Sequence, residues 1–245
     1  MTRLIHSFER QGVWVRDVVL GAPPDELSSA VLELPPRSSG APIEQLARAE
    51  LERDGIGPME VAVWDLPDGP RTRAHEYLVV GLGYEISNGL IEPFRRLDIG
   101  VIAIEPAVSA IGRATGNGRR LVIDFGLNSA RMYAYDDSQV LFLRTIQFDS
   151  KHVDIDRVFR GIDNNIEYLV GRFPALEDAR ILLVGENRAL SGLAKLIESE
   201  YETSVSCGID IPDDGSSWIS RAEFGRQWAT AVGLASWRIA EGVAA

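Results

Sequence analysis

Four residues of this chain have the types and spacing to hold a phosphate, and a glycine ends a later apolar run. Asp124, Gly126, Asn128 and Ser129 fall within LVIDFGLNSARMYAY, residues 121–135, and Gly185 ends the apolar run RILLVG. The first stretch reads as two strands around a tight turn. Glycine lets a backbone approach an anion closely. Successive N–H groups and a serine hydroxyl can then point into one concavity. A carboxylate at a strand end can hold a hydrated magnesium ion. The plainer reading is an ordinary hairpin, because Gly, Asn and Ser are turn formers in any case.

The stretch ILLVGENRALSGLAKLIE at 181–198 reads as a buried strand, a turn at Gly185 and the start of a helix. Free N–H groups at that helix start could face a ligand. Glu186 opposes an anion there, so a βα turn with a polar cap is the stronger reading. VVGLGYEISNG at 79–89 has Gly81 and Gly83 but Ile86 at the third glycine place, so it too reads as a βα turn. The phosphate-loop, nucleophile-elbow and zinc-helix motifs do not occur. Asp213 and Asp214 are adjacent and read as a solvated loop. Trp218, Trp228 and Trp237 lie near or on the last helix and read as core, with room for one of them to stay exposed for a partner. No residue is assigned a catalytic role, and no metal site is read.

Composition narrows the setting. The 245 residues are 45% hydrophobic, enough for one large core or two modest ones. The net charge of -11 with no dense basic patch argues against nucleic acid and against an anionic membrane surface. Cys207 is the only cysteine, and His6, His75 and His152 are scattered. These facts fit a reducing cytoplasm and give no local metal site. No run approaches the ~20 apolar residues of a membrane span.

Periodicity supplies the elements that must position these residues. Strands are expected at 13–20 and 30–34, a helix from Pro42 to Gly55, strands over MEVAVWDL and AHEYLVVGL, and a helix marked by Ile86, Leu90, Phe94 and Leu97. A buried strand IGVIAIE and a short helix after Pro106 follow. The polar, glycine-rich ATGNGRR at 114–120 reads as a boundary. Beyond it come three strands, 120–126, 130–136 and 139–147, joined by turns short enough for an antiparallel meander. A long helix carries Ile155, Val158, Phe159, Ile162, Ile166, Leu169, Val170 and Phe173, and Pro174 stops it. Strand RILLVG, a helix through Leu190 to Tyr201, strand TSVSC and a helix near 220–240 complete the second half as βββαβαβα. No repeat of fixed period is evident. The class is α/β.

In this order the pieces resemble one family. VLELPP, PIEQLARAELER, VAVWDLP and EYLVVGLGYEISNGLIEPFRRLDIGVIAIEPAVSAIGRA are similar to the middle of the PilM family. These are actin-like proteins of type IV pilus assembly, related to FtsA. LVIDFGLNSARMYAYDDSQVLFLRTI is similar to their second phosphate hairpin, ARILLVGENRALSGLAKLIE to their adenosine-binding strand and helix, and FGRQWATAVGLASW to their closing helix. The resemblance runs from about residue 30 to about 240. It implies a reduced actin-like (ribonuclease H-like) fold of two αβ lobes with mixed sheets. The first lobe would span 1–115 and include an inserted subdomain at about 31–97; the second would span 116–245.

The departures from the pattern carry equal weight. Nothing in residues 1–30 matches the family's first phosphate hairpin, so the chain is expected to begin where that half-lobe would have ended. The family's subdomain after the second hairpin also lacks a counterpart. Glu186 and Asn187 stand where the family has a Gly-Gly pair, and their side chains would intrude on a nucleotide. The resemblance then implies a degenerate ATP site at Asp124, Gly126, Asn128, Ser129 and Gly185, with no cofactor or only weak ATP and magnesium. It also implies a cytoplasmic scaffold, peripheral to the inner membrane, that binds the N-terminal cytoplasmic peptide of a PilN-like protein. No nucleic acid and no membrane insertion are expected, and the resemblance leaves room for a homo-oligomer. The alternative is an ATP-binding or ATP-hydrolysing protein, FtsA-like or like the cytoplasmic part of GspL.

Overall fold

The computed structural model describes residues 2–53, 57–67, 75–149, 153–185, 190–209 and 225–237. Three sheets organise them. The largest has five strands in the order β10-β9-β6-β7-β8. Here β6 is Arg120–Phe125, β7 Ser129–Asp136, β8 Gln139–Gln147, β9 Arg180–Gly185 and β10 Val205–Cys207. β6, β7 and β8 form the expected antiparallel meander, and β9 and β10 add on parallel to β6.

Alternation along the strands divides the core in two. Leu121, Ile123 and Phe125 point to one face, under α5 (Ile155–Arg172) and α6 (Leu190–Tyr201). The stripe Val158, Ile162, Ile166 and Leu169 is the buried face of α5, and the Asp154 carboxylate caps its start by accepting from the Arg157 N–H at 3.0 Å. Val122 points the other way. It meets α4 (Ala107–Ala114) through Val108 and Ile111, and α7 (Ala229–Ala235) through Ala229.

A separate antiparallel sheet has the order β2-β4-β3, from β2 (Leu27–Leu34), β3 (Met59–Asp65) and β4 (His75–Gly83). α2 (Ile43–Glu52) covers one face, packing Ile43, Ala47 and Leu51 on Met59, Tyr77 and Val79. Leu78, on the opposite face, joins the core of Val122. α3 (Tyr84–Arg95) follows β4 directly at Gly83. Gly81 of the failed dinucleotide motif is a packing residue, since a Cβ there would lie 2.5 Å from Met59 Sδ.

The remaining two strands, β1 (Asp17–Gly21) and β5 (Gly100–Glu105), form a parallel pair. The strand expected at 13–20 is shorter than its apolar run. Pairing starts where Gly100 N–H donates to Arg16 O at 2.8 Å, and the preceding Val13 and Trp14 are exposed, Trp14 at 76%. The residues before them form α1 (Thr2–Arg10), which sequence reasoning left unassigned.

Candidate functional site

The turn between β6 and β7 is built by register. Phe125 pairs with Ala130 and Asp124 with Arg131, which leaves Gly126, Leu127, Asn128 and Ser129 to make the turn. Gly126 N–H donates to Ser129 O at 2.9 Å, and Asn128 O accepts from Phe148 N–H at 2.9 Å, tying the turn to the end of β8. Phe125 and Phe148 stack beneath it, ring centres 5.0 Å apart.

β9 lies parallel to β6, with Asp124 beside Val184 and Phe125 beside Gly185. Asp124 and Gly185 therefore end adjacent parallel strands at their carboxyl ends, the edge where open α/β sheets place ligands. Gly185 has φ +111°, and a Cβ there would fall 2.4 Å from Phe125 O. Only glycine fits. So Asp124, Gly126, Asn128, Ser129 and Gly185 occupy one end of one sheet. Glu186, Asn187, Asp213, Asp214 and Trp218 lie outside the described residues. Trp237 is half-buried, whereas Trp228, expected in the core, is exposed at the start of α7.

Arg131 is the charged residue at this end of the sheet that sequence reasoning missed. Its side chain is 13% exposed, and its guanidinium stands 3.8 Å from the Asp124 carboxylate. The same group donates to the Asp25 carboxylate at 3.0 Å. Asp25 sits in a short 3-10 turn, Pro24–Glu26, just past β1. Burial pushes the Asp124 carboxyl above the ordinary carboxylate range, and the Arg131 charge pulls it back in part. Hairpin arithmetic could have found Arg131, since four residues between the paired Phe125 and Ala130 set residue 131 opposite 124. Asp25 has no such local signal.

Charge and access decide what this end can hold. A magnesium ion at Asp124 would need the position facing that carboxylate, and a fixed cation already neutralises it from β7. The Ser129 hydroxyl is fully buried and has no hydrogen-bond partner, so it is out of reach of a ligand in solution. Among the described residues, the group facing Asp124 and Arg131 from the first half of the chain is a second carboxylate, Asp25, which would repel phosphate. The described residues do not fit a tight magnesium–phosphate clamp. Among them no cluster of three or more His, Cys, Asp or Glu could hold a metal, and no helix is long and apolar enough to cross a membrane.

No known family profile and no curated protein matches the chain. Solved structures do. The chain is similar to a structure of the PilM-PilN type IV pilus biogenesis complex, with a TM-score of 0.70 and 15% identity over 96% of this chain and 83% of that one. It is also similar to the cytoplasmic domain of EpsL, an inner-membrane component of the type II secretion system of Vibrio cholerae. That TM-score is 0.54, with 13% identity over 96% and 81% of the two chains. These likenesses show the fold: an actin-like α/β fold, with sheets of mixed strand direction.

Proposed function

We propose that this protein is a PilM-like scaffold of a type IV pilus or related secretion machine, acting in the cytoplasm and held at the inner membrane by a partner. Its ligand is the N-terminal cytoplasmic peptide of a PilN-like membrane protein. The observation that carries the reading is a groove of about 460 Å³ between β3, β4, α3 and β5. Ala62, Val80, Leu82, Ile91, Val101 and Ile104 line it. Such a lining suits two or three apolar anchors of a short peptide. Glu60 and Tyr84 form part of the same lining and are hydrogen-bonded to each other at 2.8 Å. The net charge of -11 favours a peptide carrying Arg or Lys, mainly through a faster on-rate. The fold likeness to a PilM-PilN complex supports the same reading.

The division that goes with it is a first lobe at 1–115 with an inserted subdomain near 31–97, and a second lobe at 116–245. In this reading the Asp124 site is a relic, held closed by Arg131 and Asp25. Calorimetric titration with Mg-ATP is expected to give no tight binding. An affinity below micromolar, about 8 kcal/mol or more, would restore the ATP-dependent alternative.

The direct test measures anisotropy of labelled N-terminal peptides from PilN-like proteins of the same organism. At least one should bind the wild type. Ile102, 44% exposed on the groove wall, can be changed without opening a core. Ile102→Asp should weaken binding at least about tenfold, the scale of losing one buried apolar anchor. If no peptide binds, while the protein sediments with bare anionic vesicles, the scaffold mechanism is wrong.

A further inference from the structure

Two exposed apolar side chains stand over one small pocket. Val31 on β2 is 49% exposed and Tyr168 on α5 is 48%. Both line a pocket of about 250 Å³ where the β2-β4-β3 sheet meets β8 and the end of α5. Leu78, Leu141, Phe142 and Phe173 supply most of its apolar wall. Every residue that lines it is described, and none lines the groove proposed for the peptide. Strand alternation places Val31 there. Ala30 and Leu32 point towards α2, so Val31 points to the opposite face, beside its register partner Leu78. From the other side Phe142 and Tyr168 approach each other, ring centres 6.1 Å apart.

Two guanidiniums border the same pocket, Arg144 of β8 and Arg172 of α5. Arg144 donates to the Asn165 side-chain oxygen at 3.3 Å. Asn165 is buried, and its own amide donates to Gly161 O at 2.6 Å. A neutral, fixed group thus orients this cation without cancelling its charge. Arg172 lies over the Phe173 ring at 5.1 Å and donates to the Tyr168 hydroxyl at 3.0 Å. It also donates to the Glu76 carboxylate at 2.5 Å. Two arginines against the one carboxylate, Glu76, leave a positive charge at this pocket, on a chain whose net charge is -11.

We propose that this pocket docks an acidic-apolar segment of a partner polypeptide. One bulky apolar side chain fills the pocket, and an Asp or Glu beside it pairs with Arg144. Volume decides for a polypeptide. At about 250 Å³ the pocket is smaller than the ~300–1,000 Å³ that encloses a whole small ligand. Val31 and Tyr168 carry the apolar surface past its rim, so the occupant is anchored here and continues outside. Tyrosine and arginine around a small apolar pocket are the residue types that dominate such contacts. Charge decides for an acidic segment. Arg172 and Glu76 satisfy each other, whereas Arg144 offers its planar fork to an incoming carboxylate. The negative charge of the whole chain opposes a broad anionic membrane face. Against a single carboxylate it matters less, because at ~0.15 M salt charges more than ~8 Å away are largely screened.

The test uses the full chain with labelled Val and Leu methyl groups and three blocked dipeptides: N-acetyl-Leu-Glu-amide and its Gln and Lys counterparts. The methyl signals of Val31, Leu78 and Leu141 report on the pocket. The Glu dipeptide should shift them saturably and bind at least about tenfold more tightly than the Gln one, the scale of one charge-assisted pair. Arg144 is exposed, so its replacement opens no core. Arg144→Gln should abolish the preference, and Arg144→Glu should hand it to the Lys dipeptide. Ile102→Asp should change none of this, which separates failure here from failure of the groove. Four results overturn the proposal. The Glu dipeptide could leave the three signals unmoved up to about 10 mM. The three dipeptides could bind alike, or the preference could survive Arg144→Gln. Anionic vesicles could shift the signals where the Glu dipeptide does not, which would give the pocket to lipid. The protein could sediment as a dimer whose pocket signals answer no dipeptide, which would give it to a second copy.

Discussion

β1 and β9 both lie in short stretches that run from an Arg through an apolar centre to a Gly, RDVVLG and RILLVG, and they end in different states. β9 lies between two strands and under helices on both faces, and its centre is buried. Among the described residues β1 has one strand neighbour, and its centre is half-exposed. The difference does not lie in the strands. It lies in β6, which β9 has and for which β1 has no counterpart among the described residues. Apolar sequence creates the capacity for burial, but topology decides whether it is realised. The same contrast separates the two glycines that end the strands. Gly185 is pressed against Phe125 of β6, whereas a Cβ on Gly21 would meet only Leu234 Cδ1 at 3.4 Å.

The largest effect expected from this contrast is at those glycines. Gly185→Ala must relieve a 2.4 Å clash with backbone at φ +111°. It should cost about 3 kcal/mol. Gly21→Ala has no positive φ and an ordinary contact, and should stay within about 0.5 kcal/mol. Paired urea melts measure both. Equal losses would mean that β1 is held as tightly as β9.

A smaller contrast is expected between Leu183 and Val19. Leu183→Ala empties a fully buried site and should cost about 3 kcal/mol. Val19→Ala removes half-exposed methyls and should cost under about 1 kcal/mol.

The same asymmetry governed what was legible in sequence. The meander at 120–147 was readable because its turns are short and each strand closes on the next. The stripe of α5 was readable because both its faces have a fixed environment, core and solvent. In the first sixteen residues those constraints are missing. The run from Val13 looks like strand throughout, yet only the part that meets β5 is paired, and α1 went unassigned. At the candidate site, the turn residues announced themselves by type. Arg131 was hidden in plain register, and Asp25 came from more than a hundred positions away in sequence. Turn chemistry is local and readable, whereas the charge that occupies a site is set by tertiary placement.

The smallest effect concerns the site itself, where the five-stranded sheet meets the turn after β1 through Asp25 and Arg131. Two influences on Asp124 oppose each other: burial raises its pKa, and Arg131 lowers it, with burial the larger. A folded-state pKa above the unfolded value means that the native state binds the proton more readily. The stability it contributes is complete below the ordinary carboxylate value near 4 and is lost as pH rises through the raised value. Above the raised value the ionised Asp124 is therefore a net burden, one that Asn would not carry. Asp124→Asn should raise the melting temperature at pH 7 by a few degrees at most. The gain should close as pH falls towards about 4. Arg131 retains Asp25 in that variant, so its own charge stays paired. A loss of stability at pH 7 instead would show that the ion pair outweighs burial. Asp25, Arg131 and Asp124 would then be a clasp joining the two sheets rather than the residue of an older site.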